Sequence, residues 1–346
     1  MKNKKIYVTL FIIILILNML VAACKTQKEQ PVKTLHLKEV AHSILYAPIY
    51  IAISQGFFEE ETLNVKIETL TDNEEIIASL YAKNSDIILV GPQTSIILFK
   101  ENLEEKLVNI AQLVQRDPSY LMSREPKPNF KWKDLKKKII IGGIQTSTPE
   151  ILLEYVLLKN DLSPYKEVDI INNIPKDASI GAFKGGVGDY IHLLEPEVSH
   201  LENSGSAYLI ASLDNEVGEI AYTNFLTTDS YLNKNPIIVQ KFVNALYKAQ
   251  LWCNYHNPEE IAKTLQDSFP EYKLDLIIKV VTRYKNQKIW AVNPIIELQA
   301  FDKFQQILID SGALGEKIPL TSILDNSFAE KTVKEIPIPK EYLKKK

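Results

Sequence analysis

Cysteine is nearly missing from this chain. Its 346 residues carry two, Cys24 and Cys253, too few for a disulfide framework. Histidine is sparse as well: His36, His42, His192, His200 and His256 are scattered and nowhere spaced as a pair of metal ligands. There is no P-loop, no G-x-S-x-G elbow and no internal repeat. Gly185-Gly186-Val187-Gly188 lacks the full dinucleotide spacing and reads as a plain turn. A strong excess of either charge is absent too, since 40 basic and 43 acidic residues leave a formal −3, with no electrostatic footprint for nucleic acid. No pair of carboxylates stands out for acid–base work, and Cys253, beside Leu251, Trp252 and Tyr255, reads as a buried structural thiol. What the chain does have is 46% hydrophobic and 24% charged residues, the composition of a globular protein with a real core. Its length suggests two lobes.

The amino terminus reads as an address. Lys2, Lys4 and Lys5 precede an apolar run from Ile6 to Leu17, and the chain continues Asn18-Met19-Leu20-Val21-Ala22-Ala23-Cys24. Small residues before a cleavage point fit a signal peptidase pocket. A cysteine directly after Val21-Ala22-Ala23 resembles the bacterial lipobox, in which that cysteine is acylated, as by palmitate, and becomes the new N-terminus. Residues 1–23 are therefore read as a lipoprotein signal peptide, Cys24 as the lipidation site and 24–32 as a flexible tether. An uncleaved anchor helix is the alternative. The mature chain would carry a net −6 and work outside the cytoplasm, held at the cell membrane by lipid, on its outer face or in a periplasm.

From Thr34 onward, apolar periodicities of strands and helices alternate in a doubly wound α/β pattern with a parallel sheet. Strands are expected at Thr34–Val40, Asn64–Leu70, Asp86–Val90 and Leu107–Val114. A second unit places strands at Lys138–Gly142, Val168–Asn172 and Tyr208–Ala211. Pro48 and Gly56 bracket a short helix in the order helices favour, and Asp72 or Asn73 can cap the next. From Asp229 the pattern turns to helices at Pro236–His256, Pro258–Gln266, Asp275–Tyr284 and Ile295–Ser311, and residues 331–346 read as a mobile tail.

Parallel sheets gather ligands at the carboxyl ends of their strands. The segments expected there are Ala41–Ala47, Gly91–Ser95, Arg116–Tyr120, Gly143–Thr148 and Gly186–Tyr190. Ser147-Thr148-Pro149-Glu150 has capping-box spacing, so a helix starts there. Its amides either meet a polar ligand or are simply capped. Gln93 and Thr94 occupy a similar strand-to-helix turn. His42 is open between ligand contact and a hydrogen-bonded structural role, and Arg116-Asp117 between an anion clamp and a surface ion pair. Tyr46, Tyr120, Tyr190 and Tyr222 all fall in turns.

The run Val40-Ala41-His42-Ser43-Ile44-Leu45-Tyr46-Ala47-Pro48, leading to Gly56-Phe57-Phe58 and Leu63-Asn64-Val65, resembles extracytoplasmic solute-binding proteins of the nitrate/sulfonate/taurine type, the SsuA/THI5-like family. Ser85-Asp86-Ile87, the Gly185–Tyr190 element with Glu195-Pro196, and the helix around Phe242, Ala249 and Trp252 followed by Asn257-Pro258-Glu259-Glu260 extend the likeness over residues 34–330. Where the family usually has glycine before Leu-x-Val, this chain has Thr62. The resemblance implies a type II periplasmic-binding-protein fold, α/β, with two doubly wound lobes joined by two crossing strands. It divides the chain into lobe 1 (33–119), lobe 2 (120–223) and a lobe 1 return with C-terminal helices (224–330). It implies an ABC importer's solute-binding protein, a monomer without cofactor or metal, that closes on a small polar or anionic solute and docks on a permease with its ATPase. Candidate solutes are sulfonate, nitrate or taurine, or a thiamine-pyrimidine precursor. Ligand contacts would come from His42, Tyr46, Gln93 and Thr94 on one lobe and Gln145, Thr146, Ser147 and Asp189 on the other. Tyr190 could add a flat wall and Arg116 a clamp. A secreted lipoprotein enzyme and a ligand-sensing ectodomain are the competing readings.

Overall fold

A computed structural model describes residues 31–101 and 105–343. The signal peptide, Cys24 and most of the expected tether lie outside the described residues. Among the described residues, no helix is long and apolar enough to cross a membrane.

Two five-stranded sheets organise the molecule. The first contains β1 (Lys33–Glu39), β2 (Leu63–Thr69), β3 (Ile87–Val90), β4 (Leu107–Val114) and β10 (Thr223–Thr228), in the order β2-β1-β3-β10-β4. The second contains β5 (Tyr120–Ser123), β6 (Ile139–Ile141), β7 (Asp169–Ile171), β8 (Tyr190–Leu193) and β9 (Tyr208–Ser212), in the order β7-β6-β8-β5-β9. The two orders are one topology used twice. In each sheet a run of three strands is followed by one that is antiparallel to both its neighbours and then by one more. β1 runs parallel to β3 with Leu37 opposite Ile87, while β10 pairs antiparallel with both β3 and β4. β6 runs parallel to β7 and β8, and β5 antiparallel to β8 and β9. The chain crosses between the sheets twice, at 115–119 and 213–222. Ile220 N donates to Gln115 O at 3.0 Å and Leu213 N to Ser119 O at 3.2 Å, tying the crossings together.

Burial explains the sequence of the central strands. Every residue of β3, β4 and β10 is buried, which suits strands covered on both faces. Several of their polar side chains are bonded internally: Asn109 Nδ2 donates to Ser95 Oγ and to Ile323 O, both at 2.8 Å, and Gln112 Nε2 donates to Ile220 O at 3.1 Å. These bonds anchor the C-terminal segment and one crossing to β4. The Pro236–Tyr255 helix lies over the first sheet, with Phe242 packed on Phe225 at 5.0 Å and on Phe58 at 5.6 Å between ring centroids. Each fully buried Phe of this kind contributes about 1.5–3 kcal/mol of transfer free energy.

Local chemistry sets the element ends. Gly56 ends one helix at φ +72, a backbone region where glycine has no Cβ penalty. Thr62 also sits in the left-handed region, at φ +57. This is why glycine suits the position, and here a β-branched residue bears the strain. Its hydroxyl donates to Glu61 O and accepts from Lys241 Nζ, each at 2.6 Å.

The carboxyl end of the chain departs from expectation. Residues 331–343 are not an extended tail: helices span Ser327–Glu335 and Lys340–Leu343. Thr332 is fully buried and bonded to Gln240 and Asn244, and Tyr342 stacks on Tyr255 at 5.2 Å. The apolar spacing of Phe328, Ala329 and Thr332 buries this helix against Pro236–Tyr255, and the proline-rich sequence after it obscured that face.

Candidate functional site

The sheets face one another through their carboxyl-end loops. On the first sheet these are 40–46 after β1, Gly91–Thr94 after β3, and the crossing after β4. On the second they are Gly142–Thr148 after β6, Asn172 after β7, and Leu194–Pro196 after β8. The lobes touch where two helices begin. Thr148 Oγ1 donates to Gln93 Oε1 at 3.0 Å, and both side chains are buried. Gly91 lies directly beneath this contact, where an added Cβ would run into Gln93 and Thr148. Glycine is therefore required for the close approach.

Behind this contact runs a buried polar chain. Asp117, on the first crossing, is fully buried and accepts from Ser119 N at 2.7 Å and Ser119 Oγ at 2.5 Å, both on Oδ1. Because the Ser119 proton points to Asp117, its oxygen accepts from His192 Nε2 at 2.7 Å. His192 Nδ1 faces Glu150 Oε2 at 3.9 Å. Glu150 accepts further from Gly143 N and Asn172 Nδ2, each at 2.8 Å. Burial pushes Glu150 up, but His192 and these donors outweigh it and hold the carboxyl below its ordinary value. Asp117 has less help, and burial raises its carboxyl to about 6. The Ser–His–Glu order looks like a hydrolytic constellation but lacks its chemistry. Ser119 is fully buried and its hydroxyl proton goes to a carboxylate, so no nucleophile is presented to a substrate.

The expected contact residues divide. Tyr46, Gln93 and Thr94 are buried at the junction, with the Tyr46 hydroxyl bonded to the Thr223 side chain. Ser147 precedes the Thr148–Lys159 helix, but its hydroxyl donates back to Ile144 O at 2.6 Å. The capping box does not close, because Glu150 turns to Gly143 and His192 instead. Gln145 and Thr146 are exposed on the same loop. His42 has both ring nitrogens occupied, Nε2 by Ser268 O at 2.8 Å and Nδ1 by Glu39 at 3.3 Å, and stacks on Phe269 at 4.6 Å. Arg116 pairs with Asp214 at 3.1 Å, not with its neighbour Asp117. Asp189 and Tyr190 lie elsewhere. β8 runs parallel to β6, so its carboxyl end is Leu193, and Tyr190 opens the strand at the far end. There Asp189 Oδ2 accepts from Ile139 N at 2.9 Å and pins the two strand starts together.

Sequence reasoning missed Asp117, Ser119, Glu150 and His192 as a group. They are dispersed over 76 positions of sequence and meet only through the second sheet and the crossing. The one available signal was a helix-start glutamate beside a strand histidine of a parallel unit. Among the described residues, no cluster of His, Cys, Asp and Glu is arranged to hold a metal ion.

Comparison with known proteins agrees with this architecture. Residues 44–261 match the model of the family described as NMT1/THI5 like. "Putative binding protein YtlA" of Bacillus subtilis (strain 168) is 37% identical over 91% of this chain and 93% of its own. The formylaminopyrimidine-binding protein of Halalkalibacterium halodurans is 24% identical, covering 81% of this chain and 83% of its own. Among solved structures, the periplasmic sulfonate-binding protein SsuA from Methylobacillus flagellatus KT superposes with a TM-score of 0.69 at 17% identity, over 88% of this chain and 95% of that one. The chain therefore belongs to the NMT1/THI5-like family and has the two-lobed periplasmic-binding-protein fold.

Proposed function

We propose that this chain is the extracytoplasmic, lipid-anchored solute-binding subunit of an ABC importer. It captures a small polar solute between its lobes and delivers it to a membrane permease. The observation that carries this reading is the meeting of two ligand-competent helix starts, at Gln93 and Thr148, on lobes connected by two crossings. A solute shifts such lobes toward closure only if it binds the closed arrangement better, so the contacts must come from both sides. Tyr46, Gln93 and Thr94 contribute from one lobe and the Gln145–Thr148 loop from the other. The likeness to a Bacillus subtilis protein named for binding supports the assignment, and the names of the other relatives supply two solute classes, sulfonates and formylaminopyrimidines. Small-angle scattering tests it: a saturating solute should reduce the radius of gyration, and an unchanged radius with a verified ligand would count against closure.

Anchoring has its own test. Cys24 follows Val21-Ala22-Ala23 and an apolar leader, so Cys24→Ala should leave the precursor unprocessed or release the protein from membranes. A Cys24→Ala protein that stays membrane-bound and matures to the wild-type mass overturns the lipid anchor.

A further inference from the structure

The Leu274–Asn286 helix is divided lengthwise. Ile277, Val280, Val281 and Tyr284 recur at i, i+3, i+4 and i+7 and are buried, as the apolar stripe of a core helix should be. That core is the first lobe's: Tyr284 meets the Trp290 ring at 5.9 Å, and Trp290 Nε1 donates to Leu45 O at 2.8 Å. Lys279, Arg283 and Gln287 recur every four residues and share a second face. All three reach the second lobe. Lys279 Nζ pairs with Glu202 at 3.1 Å and donates to Asn203 Oδ1 at 2.7 Å, while Arg283 bonds Glu195 and, at 2.6 Å, Glu202. Gln287 accepts from the Tyr120 hydroxyl and donates to Ser212 Oγ at 3.1 Å. Tyr120 and Ser212 stand where the two crossings meet the second sheet, so Gln287 lies beside the pivot. Lys279 is two turns away, about 12 Å along the helix axis, where rotation about the crossings displaces the lobes further.

We propose that this polar face is a clasp between the lobes. It raises the share of molecules that are closed before any solute arrives, and it parts from the Lys279 end when they open. The apolar stripe fixes the helix to one lobe. The outer pair, with Lys279 and Glu202 side chains 34% and 25% exposed, keeps contact with water and can break and re-form at little cost. A solute then has less of the closing to supply from its own binding. The clasp acts on the lobes whatever the solute, so a test without solute leaves the solute-binding reading untouched.

Glu202→Gln frees Lys279 and weakens the hold on Arg283 at once, whereas Lys279→Met breaks the outer pair alone. In small-angle scattering of the mature proteins without solute, both variants should show a larger radius of gyration than wild type, Glu202→Gln the more so. Amide exchange at Gln93–Ser95, buried where the lobes meet, should speed by about threefold or more in Glu202→Gln, the population change that half-exposed ion pairs can make. Exchange in β4 should keep its wild-type rate, which separates lobe opening from unfolding. Lys317→Met, which removes an ion pair to Asp302 within the first lobe's carboxyl-terminal segment, should change neither reading. Salt at about 1 M, which cuts the screening length to about 3 Å, should enlarge the wild-type radius without any variant. It decides the matter where a variant speeds β4 as well. A radius unchanged in both variants overturns the clasp, and so does equal expansion in Lys317→Met.

Discussion

Relative to wild type, Asp117→Asn should gain up to about 3 kcal/mol of folding stability between pH 4 and pH 7.5, measured without solute. The fold holds the Asp117 proton more tightly than the unfolded chain does, since burial raises the carboxyl from 3.8 to about 6. Between those values the native state carries more bound proton, so wild-type stability falls as pH rises, and above about pH 6 the full penalty is present. Each unit of displacement corresponds to about 1.4 kcal/mol. Asparagine cannot ionise and escapes this penalty, although its buried N–H2 introduces an unmet donor at every pH. The comparison across pH therefore isolates the charge. Thermal or urea unfolding of both proteins at the two pH values measures it. A stability difference that does not move with pH would show that the fold does not raise the Asp117 carboxyl.

Arg283→Met should cost about 3–5 kcal/mol at neutral pH. Arg283 lies on the Leu274–Asn286 helix, which packs against the first lobe, and reaches across to Glu195 and Glu202 at the Glu197–Asn203 helix that follows β8. Glu195 is almost fully buried, and burial pushes its carboxyl up against the opposing pull of Arg283. Methionine keeps much of the arginine volume but leaves that carboxylate with only Ser199 N and Oγ, at 2.9 and 2.8 Å. The loss should be smaller near pH 4, where Glu195 takes up a proton, and Glu195→Gln in the same chain should restore much of it. A double-mutant cycle in urea reads this coupling. Additive losses from the two substitutions would rule out a working pair.

Much of the fold could be read from local pattern. Alternating apolar residues placed β1 and β2, the uninterrupted apolar run Ile87–Val90 placed β3, and Pro48 with Gly56 bracketed a helix. Asp72 does cap its helix, accepting from Glu74 N and Glu75 N at 2.7 and 3.2 Å. Family likeness supplied the crossings, which no local pattern carries. The site was less legible. Gly91 to Thr94 and Ser147 to Thr148 could be located because helix starts have a signature. Asp189 was misplaced because a residue beside a glycine turn looks the same at either end of a strand, and only the parallel register of β6 and β8 decides which end it occupies. Asp117 looked like half of an ion pair with Arg116, since adjacency in sequence says nothing about burial. Its partner is Ser119, two residues on, and Arg116 turns outward to Asp214.

The placement of β10 governs when each half of the molecule can form. The second sheet draws on residues 120–212 without interruption, so it can assemble once that stretch is available. The first sheet has a gap between β3 and β4 until Thr223–Thr228 arrives, more than 100 residues after β4. Pairings of such long sequence separation close late and slowly. An emerging chain therefore keeps its amino-terminal half without a finished sheet until nearly two thirds of its length has been made.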